Sequence, residues 1–336
     1  MAALVGGFGT SHSLILVMEP DDWSARAEFD RTINHPFRGE TLSFSELVER
    51  RTDKDYAALA ELPARQAHAQ RNQAAIDALG DAIRELDPDV LVVIGDDQEE
   101  WYSAAMQPAI TIFHGDRLLN SAYDPEDHKH KHPSIQMVES RRHTPEDTYY
   151  PVVTDLATHM AETATASGFE ITASRDIPFD RSGKPIGIGH AFTFIYRRVL
   201  RDQPIPIVPI LVNTFYPPNR PLPSRCFRFG QILGDAIRSW NSDQRVAVVG
   251  SGGLSHFVID EEWDRQMLRA MADGDFAPLI EEDDEIYRSG TSEVKNWIIM
   301  LGVISQSNFE MELIDYVPCY RSEAGTGTAM GFAVWR

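Results

Sequence analysis

The sequence is short of positive charge. Its 336 residues include 31 lysines and arginines against 51 aspartates and glutamates, a formal net charge of −20 with neutral histidines. Nucleic acids and anionic lipid surfaces are both bound by clusters of Lys and Arg, so this composition argues against either partner. It leaves room for a small anionic substrate, because a few local Arg and His side chains can outweigh the overall field.

Cysteines and long apolar runs are also scarce. Two cysteines, Cys226 and Cys319, make no disulfide framework in a chain of this size, which favours a reducing cytoplasm. No run of about 18 apolar residues predicts a membrane span, and no signal peptide is expected. The sequence contains no CxxC, HExxH or GxSxG motif, which weakens a zinc-protease or serine-hydrolase function.

Strand-like and helical segments alternate along the chain. VLVVIG (90–95) predicts a buried strand, and apolar residues recur at helical spacing over 67–86. Residues 20–65 carry little strand signal and predict a lid-like insertion of short helices. The highly charged segment YDPEDHKHKHPS (123–134) predicts a solvated loop, although its histidines suggest metal binding by composition. The alternation predicts a single α/β domain over 1–336, with a mostly parallel or mixed sheet flanked by helices.

Polar residues follow several strand-plus-glycine patterns. They are His12 in GGFGTSHS, Gln98 in IGDDQEE and His256 in GSGGLSH, and Glu293 in SGTSEVKNW adds a carboxylate. Ligands and metals bind outside the carboxyl ends of strands in α/β proteins. A His, a Glu and one further oxygen or nitrogen donor make a facial site for non-haem Fe(II) that leaves positions open. Each residue alone also fits an ordinary role as a turn residue, a helix cap or a surface acid, and GSGGLSH alone resembles a phosphate-binding turn without the P-loop lysine.

Together and in this order, these stretches resemble the type III extradiol ring-cleavage dioxygenases, which include the catalytic subunit of protocatechuate 4,5-dioxygenase and enzymes acting on gallate and 3-O-methylgallate. Residues 209–240 resemble the family's strand, double-proline turn and following helix. GSGGLSH (250–256) resembles its catalytic-histidine turn, SEVKNWIIMLG (292–302) its glutamate-ligand helix, and GTAMGF (327–332) the stretch that closes the pocket.

The resemblance implies a role for individual residues. His12 and Glu293 would be ligands of Fe(II), and His256 the acid/base residue near bound oxygen. His190 in GIGHAFT would hydrogen-bond the substrate, and Thr328 would contact it. The implied reaction opens a catechol-type aromatic acid, such as protocatechuate, gallate or 3-O-methylgallate, with O2, and the implied assembly is a homodimer.

Two arginines near the double-proline turn are candidates for the substrate carboxylate. Arg225 and Arg220 offer the planar donor fork that suits a carboxylate. A surface or structural salt-bridge role is an equally good interpretation of both residues.

The sequence departs from the family pattern at Gln98, where the family has a second histidine ligand. Three alternatives are open: the Gln98 side-chain oxygen coordinates the metal, Asp97 takes its place, or metal binding is lost. The last alternative predicts a non-oxidative member of the same fold, such as a binding protein, a hydrolase or a pseudoenzyme.

Overall fold

The fold is built on one mixed β-sheet with helices on both faces. The computed structural model describes residues 1–336 apart from the side chain of residue 134. The strands are β1 (Ala3–Thr10), β2 (His35–Phe37), β3 (Glu40–Leu42), β4 (Val90–Asp96), β5 (Ile110–Phe113), β6 (Arg117–Asn120), β7 (Thr148–Pro151), β8 (Thr172–Ser174), β9 (Ile207–Val212), β10 (Arg245–Ser251), β11 (His256–Val258), β12 (Met311–Tyr320) and β13 (Thr326–Trp335). The α-helices are α1 (Trp23–Asp30), α2 (Phe44–Arg50), α3 (Tyr56–Leu59), α4 (Leu62–Leu86), α5 (Pro125–His128), α6 (Pro133–Arg142), α7 (Thr154–Ala166), α8 (His190–Phe194), α9 (Pro223–Ser239), α10 (Glu261–Asp273), α11 (Ala277–Ile280) and α12 (Val294–Ile304).

The main sheet has the order β11–β13–β1–β10–β4–β9–β5–β8, with β12 paired to β13 along nearly its whole length. Strands β1, β10, β4 and β9 are parallel neighbours, whereas β13 runs antiparallel to β1, β11 and β12. This architecture confirms the predicted single-domain α/β class with a mixed sheet flanked by helices.

Strand β4 lies in the middle of the sheet because both of its faces are apolar. Every residue of Val90–Asp96 is buried, which is typical of a parallel strand covered by helices on both sides. One core cluster contains Phe229 and Trp297, and another contains Phe8 and Phe192. The sheet therefore separates two apolar layers, and polar side chains collect where its parallel strands end.

The register of the parallel strands brings three chain segments to one edge. Thr10 of β1 pairs with Ser251 of β10, and Ser251 pairs with Gly95 of β4. The residues that follow these positions leave the sheet at the same level. Three turns that are distant in sequence therefore meet there.

Close packing places helix α12 against the same edge. A Cβ on Gly9 would lie 2.7 Å from the Trp297 ring, so only glycine allows this approach. The Trp297 indole donates to Gly252 O at 2.9 Å. Glu293, which immediately precedes α12, is thereby held beside the ends of β1 and β10.

Within residues 20–65, short helices form as predicted, together with the β2–β3 hairpin, and residues 62–65 are the first turn of the long helix α4. This segment packs against the β11–β13 end of the sheet. Arg321 donates to Asp30 at 2.6 and 3.0 Å, and Arg51 donates to Gly325 O at 2.9 Å.

The prediction of a loop over 123–134 is wrong in part. Helix α5 occupies Pro125–His128 and α6 begins at Pro133, because prolines start both helices and Asp124 caps the first one through Glu126 N. Within the described residues, no helix combines the length and apolar character needed to cross a membrane.

Candidate metal centre

His12 follows β1 and has a defined tautomer. Its Nδ1 lies 2.9 Å from Ser251 Oγ, and that hydroxyl donates to Ala191 O at 2.8 Å. Because the one hydroxyl proton of Ser251 is used on the carbonyl, Ser251 Oγ accepts from His12 Nδ1–H. The lone pair of the neutral His12 ring is therefore on Nε2.

His190 and His256 are oriented in the same way. His190 Nδ1 lies 2.9 Å from Glu100 Oε2, and its backbone N–H donates to Glu100 Oε1 at 2.9 Å. His256 Nδ1 donates to Leu254 O at 2.8 Å. Since both partners are acceptors, Nδ1 carries the proton and Nε2 is left to bind something else. Histidines that bind metals are held in this way by an oxygen behind the ring.

The Nε2 atoms of the three histidines converge on two buried carboxylates. His12 Nε2 lies 3.2 Å from Glu293 Oε2, 3.4 Å from Asp96 Oδ1 and 3.1 Å from His190 Nε2. His256 Nε2 lies 3.2 Å from Glu293 Oε1. Potential ligand atoms of His12, Asp96, His190 and Glu293 all lie within 4.8 Å of one another.

This donor set fits a divalent cation. The Nε2 atoms of His12 and His190 lie 3.1 Å apart, close enough to share a proton or to face one cation together. Asp96 Oδ2 is buried and accepts no hydrogen bond from any residue that the structure describes. Burial and the neighbouring Glu293 raise the pKa of Asp96, as expected for two carboxylates that share a buried site. Imidazole and carboxylate donors together suit non-haem iron.

The second carboxylate of the cluster is Asp96 and not Asp97. Asp97 accepts from the backbone N–H groups of Trp101 at 2.8 Å and Tyr102 at 3.3 Å, so it holds the turn that follows β4. Burial and the nearby Glu100 raise the pKa of Asp97 to about 7. Successive side chains of a strand point to opposite sides, which separates the two aspartates.

Gln98 lies beside the cluster with its amide nitrogen turned to it. Its Nε2 donates to Glu293 Oε1 at 3.0 Å. In this arrangement Gln98 orients the carboxylate of Glu293, and an imidazole from a different part of the chain, His190, lies next to His12.

Thr328 and Arg225 differ in their placement. Thr328 is buried on β13 directly opposite His256 of β11 and lies 3.3 Å from Ser13 Oγ. Arg225 is exposed on α9, with its guanidinium 4.2 Å from the centre of the Phe169 ring. The structure therefore places Thr328 at the candidate metal centre and Arg225 on the exposed side of α9.

A cavity of about 250 Å3 opens onto the cluster. Residues singled out from the sequence line one part of it: His12, Gln98, His190, His256, Glu293 and Thr328. Charged residues that the sequence reasoning missed line the rest: Arg26, Glu100, Lys131, Glu139, Arg142 and Arg321. Glu100 belongs to the acidic stretch after β4 and was a visible signal, whereas the arginines and Lys131 reach the cavity from segments without a motif.

A His–carboxylate centre at the carboxyl edge of a sheet is a familiar arrangement in metalloenzymes, and comparison with known proteins places it in a family. Residues 57–327 match the family described as the catalytic LigB subunit of aromatic ring-opening dioxygenase. The chain belongs to this family. The resemblance to the type III extradiol dioxygenases is therefore confirmed.

Curated relatives carry compatible names. A gallate dioxygenase of Pseudomonas putida is 30% identical over 177 residues, which cover 48% of this chain and 49% of the relative. A 2,3-dihydroxyphenylpropionate/2,3-dihydroxicinnamic acid 1,2-dioxygenase of Cupriavidus necator is 32% identical over 108 residues, or 32% of this chain and 30% of the relative. One of the same name from Mycolicibacterium smegmatis is 34% identical over 107 residues, with the same shares. The chain thus spans about half the length of the first relative and under a third of the others.

Proposed function

We propose that the chain is an extradiol dioxygenase that opens a catechol-type aromatic acid with O2 at a non-haem Fe(II). The observation that carries the proposal is the convergence of three oriented imidazoles and two buried carboxylates on one cavity. Membership of a ring-opening family and the names of the relatives support it. The cavity of about 250 Å3 suits one substituted ring, because a cavity of about 150 Å3 takes up benzene.

The proposed ligands are His12, His190, Glu293 and Asp96. These residues would hold Fe(II), which would supply the redox chemistry for the reaction of the aromatic ring with O2. Gln98 would keep Glu293 in place from outside the ligand set. His190 would thus supply the imidazole that position 98 lacks, a different role from the substrate contact implied by the resemblance.

His256 is the proposed acid/base residue. Its Nδ1–H is fixed on Leu254 O, its Nε2 lies 3.2 Å from Glu293 Oε1, and the residue lines the cavity. The ring can therefore take the proton of a substrate hydroxyl at Nε2 and return it later without changing orientation. Thr328, opposite His256, offers a hydroxyl to the bound substrate.

Oxygen consumption tests the proposal. Anaerobically purified, Fe(II)-reconstituted protein is mixed with protocatechuate, gallate, 3-O-methylgallate or catechol, and O2 is followed with an electrode. We expect uptake with at least one aromatic acid. His256→Ala should lower kcat by about 10²- to 10⁴-fold with iron still bound, because it removes a general acid/base.

A matched histidine variant controls for nonspecific effects. His159 lies outside the cavity and hydrogen-bonds Ser239 at 3.0 Å, so His159→Ala should retain full activity. No uptake with any substrate at full iron occupancy would contradict the dioxygenase proposal and favour the non-oxidative alternative.

Further features inferred from the sequence remain proposals. They are a homodimer, a cytoplasmic location and a lid function for residues 20–65 within a single catalytic domain. Arg26 of α1 supports the lid function, because it brings this segment to the cavity wall.

A further inference from the structure

Arg26 is a half-buried cation in the wall of the cavity. It lies on α1, in the segment that packs beside the β11–β13 end of the sheet, and it lines the same cavity as His12 and Glu293. Its guanidinium carbon lies 5.1 Å from the centre of the Phe29 ring, so an aromatic face covers one side of the group. Stacking of this kind leaves the N–H groups at the edge of the guanidinium available.

The other lysine and arginines of the cavity wall have carboxylate partners within the chain. Lys131 donates to Glu139 Oε1 at 2.8 Å, and Arg142 donates to Glu139 Oε2 at 2.7 Å. Arg321 forms a bidentate pair with Asp30 at 2.6 and 3.0 Å. These cations already have acceptors, so a ligand would have to compete for them.

Arg26 has no such acceptor among the residues that the structure describes. The nearby acid is Asp30, one turn along α1, and its oxygens accept from Arg321 and from Thr326 Oγ1 at 2.6 Å. Arg26 and Arg321 carry two positive charges and Asp30 carries one negative charge. One positive charge therefore remains in this part of the cavity wall. Burial and the neighbouring Arg321 lower the pKa of Arg26, but a guanidinium stays charged in proteins.

A partly desolvated, unpaired guanidinium favours an anion, and a planar carboxylate matches its donor fork. We propose that Arg26 is a specificity-determining residue that binds a carboxylate substituent of the aromatic substrate. This inference rests on the proposed function, because it takes the ring hydroxyls to face the histidine–carboxylate cluster. It assigns to Arg26 the role that the sequence suggested for Arg225.

Two probes that differ in one charge test the assignment. Protocatechuate carries a carboxylate, and 3,4-dihydroxybenzamide carries a neutral amide of similar shape on the same ring. Their affinities for the Fe(II)-loaded protein are measured anaerobically by isothermal titration calorimetry. Arg26→Gln should weaken protocatechuate binding by about ten- to a hundredfold, because a hydrogen bond to a charged group is lost. The affinity for 3,4-dihydroxybenzamide should stay within about twofold of the wild-type value, which also shows that the variant is folded.

Two further variants sharpen the test. Arg26→Lys keeps the charge without the fork and should recover part of the affinity for protocatechuate. Arg225→Gln removes an exposed arginine outside the cavity and should change neither affinity. An equal loss for both probes in Arg26→Gln would overturn the assignment, because it would show a packing role. An unchanged preference for the acid would overturn it too.

The outcomes also separate this inference from the proposed function. Wild-type protein that consumes O2 with protocatechuate while Arg26→Gln binds it equally well would overturn the inference alone. Wild-type protein that binds neither probe and consumes no O2 would overturn the proposed function, and the assignment of Arg26 with it.

Discussion

At the scale of single residues, the metal centre depends on which groups bind directly and which hold the ligands. Gln98 donates to Glu293 Oε1, whereas His190 presents Nε2 to His12 and Asp96. The family pattern would make residue 98 a metal ligand, whereas its hydrogen bond to Glu293 makes it a residue that orients a ligand. These two roles of Gln98 predict different metal affinities for variants of Gln98 and His190.

Metal titration of two variants distinguishes them. His190→Ala should abolish stoichiometric Fe(II) binding, because it removes a proposed ligand. Gln98→Ala should lower the affinity by about 10- to 100-fold, the usual effect of losing a group that orients a ligand. Competition with a chromophoric chelator under anaerobic conditions measures both. Glu99→Gln, at the neighbouring exposed position, should bind iron like the wild type. Complete loss of binding in Gln98→Ala with retention in His190→Ala would make Gln98 the ligand.

Residues of the candidate metal centre can be predicted from the sequence only where a strand, turn or helix-start pattern lies next to them. His12, His256 and Glu293 each accompany a strand, a glycine-rich turn or a helix start, so their arrival at one edge was predictable. The choice between Asp96 and Asp97 depends on a one-residue alternation at the end of β4. The orientation of His190 depends on Glu100, 90 residues earlier, and no local pattern encodes that contact.

At the scale of elements, α6 is held by charge more than by apolar packing. Among its described side chains, only Val138 and Glu139 are buried. Glu139 accepts from both Lys131, just before α6, and Arg142, at the end of α6. It therefore links the two ends of this helix. This ionic cluster forms part of the cavity wall.

The amide variant Glu139→Gln should lower the free energy of unfolding at pH 7 by about 1–3 kcal/mol, because it leaves Lys131 without its carboxylate and Arg142 with the more distant Glu100 at 3.7 Å. Burial alone would raise the pKa of Glu139, but His143, Arg142 and Lys131 lower it well below its usual range. A lowered carboxyl pKa stabilises the fold above the unfolded-state value of about 4.3 and loses this effect as the pH falls. Urea unfolding should therefore show a difference between variant and wild type that shrinks below about pH 4.

An exposed glutamate provides the control for this element. Glu126 of α5 pairs with Lys129 at the surface, and Glu126→Gln should change the stability by less than about 0.5 kcal/mol. A difference for Glu139→Gln that stays constant from pH 7 to pH 3 would contradict the ionic explanation.

Most helices and strands were predictable from the sequence, but the order in which the strands lie side by side in the sheet was not. Periodicity predicts α4, α7, α9 and α12 and the apolar strands, because each pattern is local. The position of β13 between β1 and β11 joins residues far apart in the chain and carries no local signal. That strand places Thr328 opposite His256, so this wall of the cavity followed only from the resemblance.

At the scale of the whole molecule, the buried carboxylates couple metal binding to folding. Asp96 and Glu293 lie deep in a chain with a net charge of −20, and Asp96 Oδ2 has no donor among the described residues. A cation at this point would satisfy groups that burial otherwise penalises. The folded state should therefore bind iron far better than the unfolded state does.

Thermal unfolding with and without metal tests this coupling. At a free Fe(II) concentration about 100 times Kd, binding should add about 2.7 kcal/mol of stability. For a chain of this size, that corresponds to a rise in Tm of about 4 °C. A chelator should reverse the rise, and Glu293→Gln should largely abolish it. The exposed acidic residues over 273–289 and the group His128, Glu139 and His143 are alternative sources of a metal effect, and both remain intact in Glu293→Gln. A rise of equal size in that variant would therefore place the stabilising metal outside the histidine–carboxylate cluster.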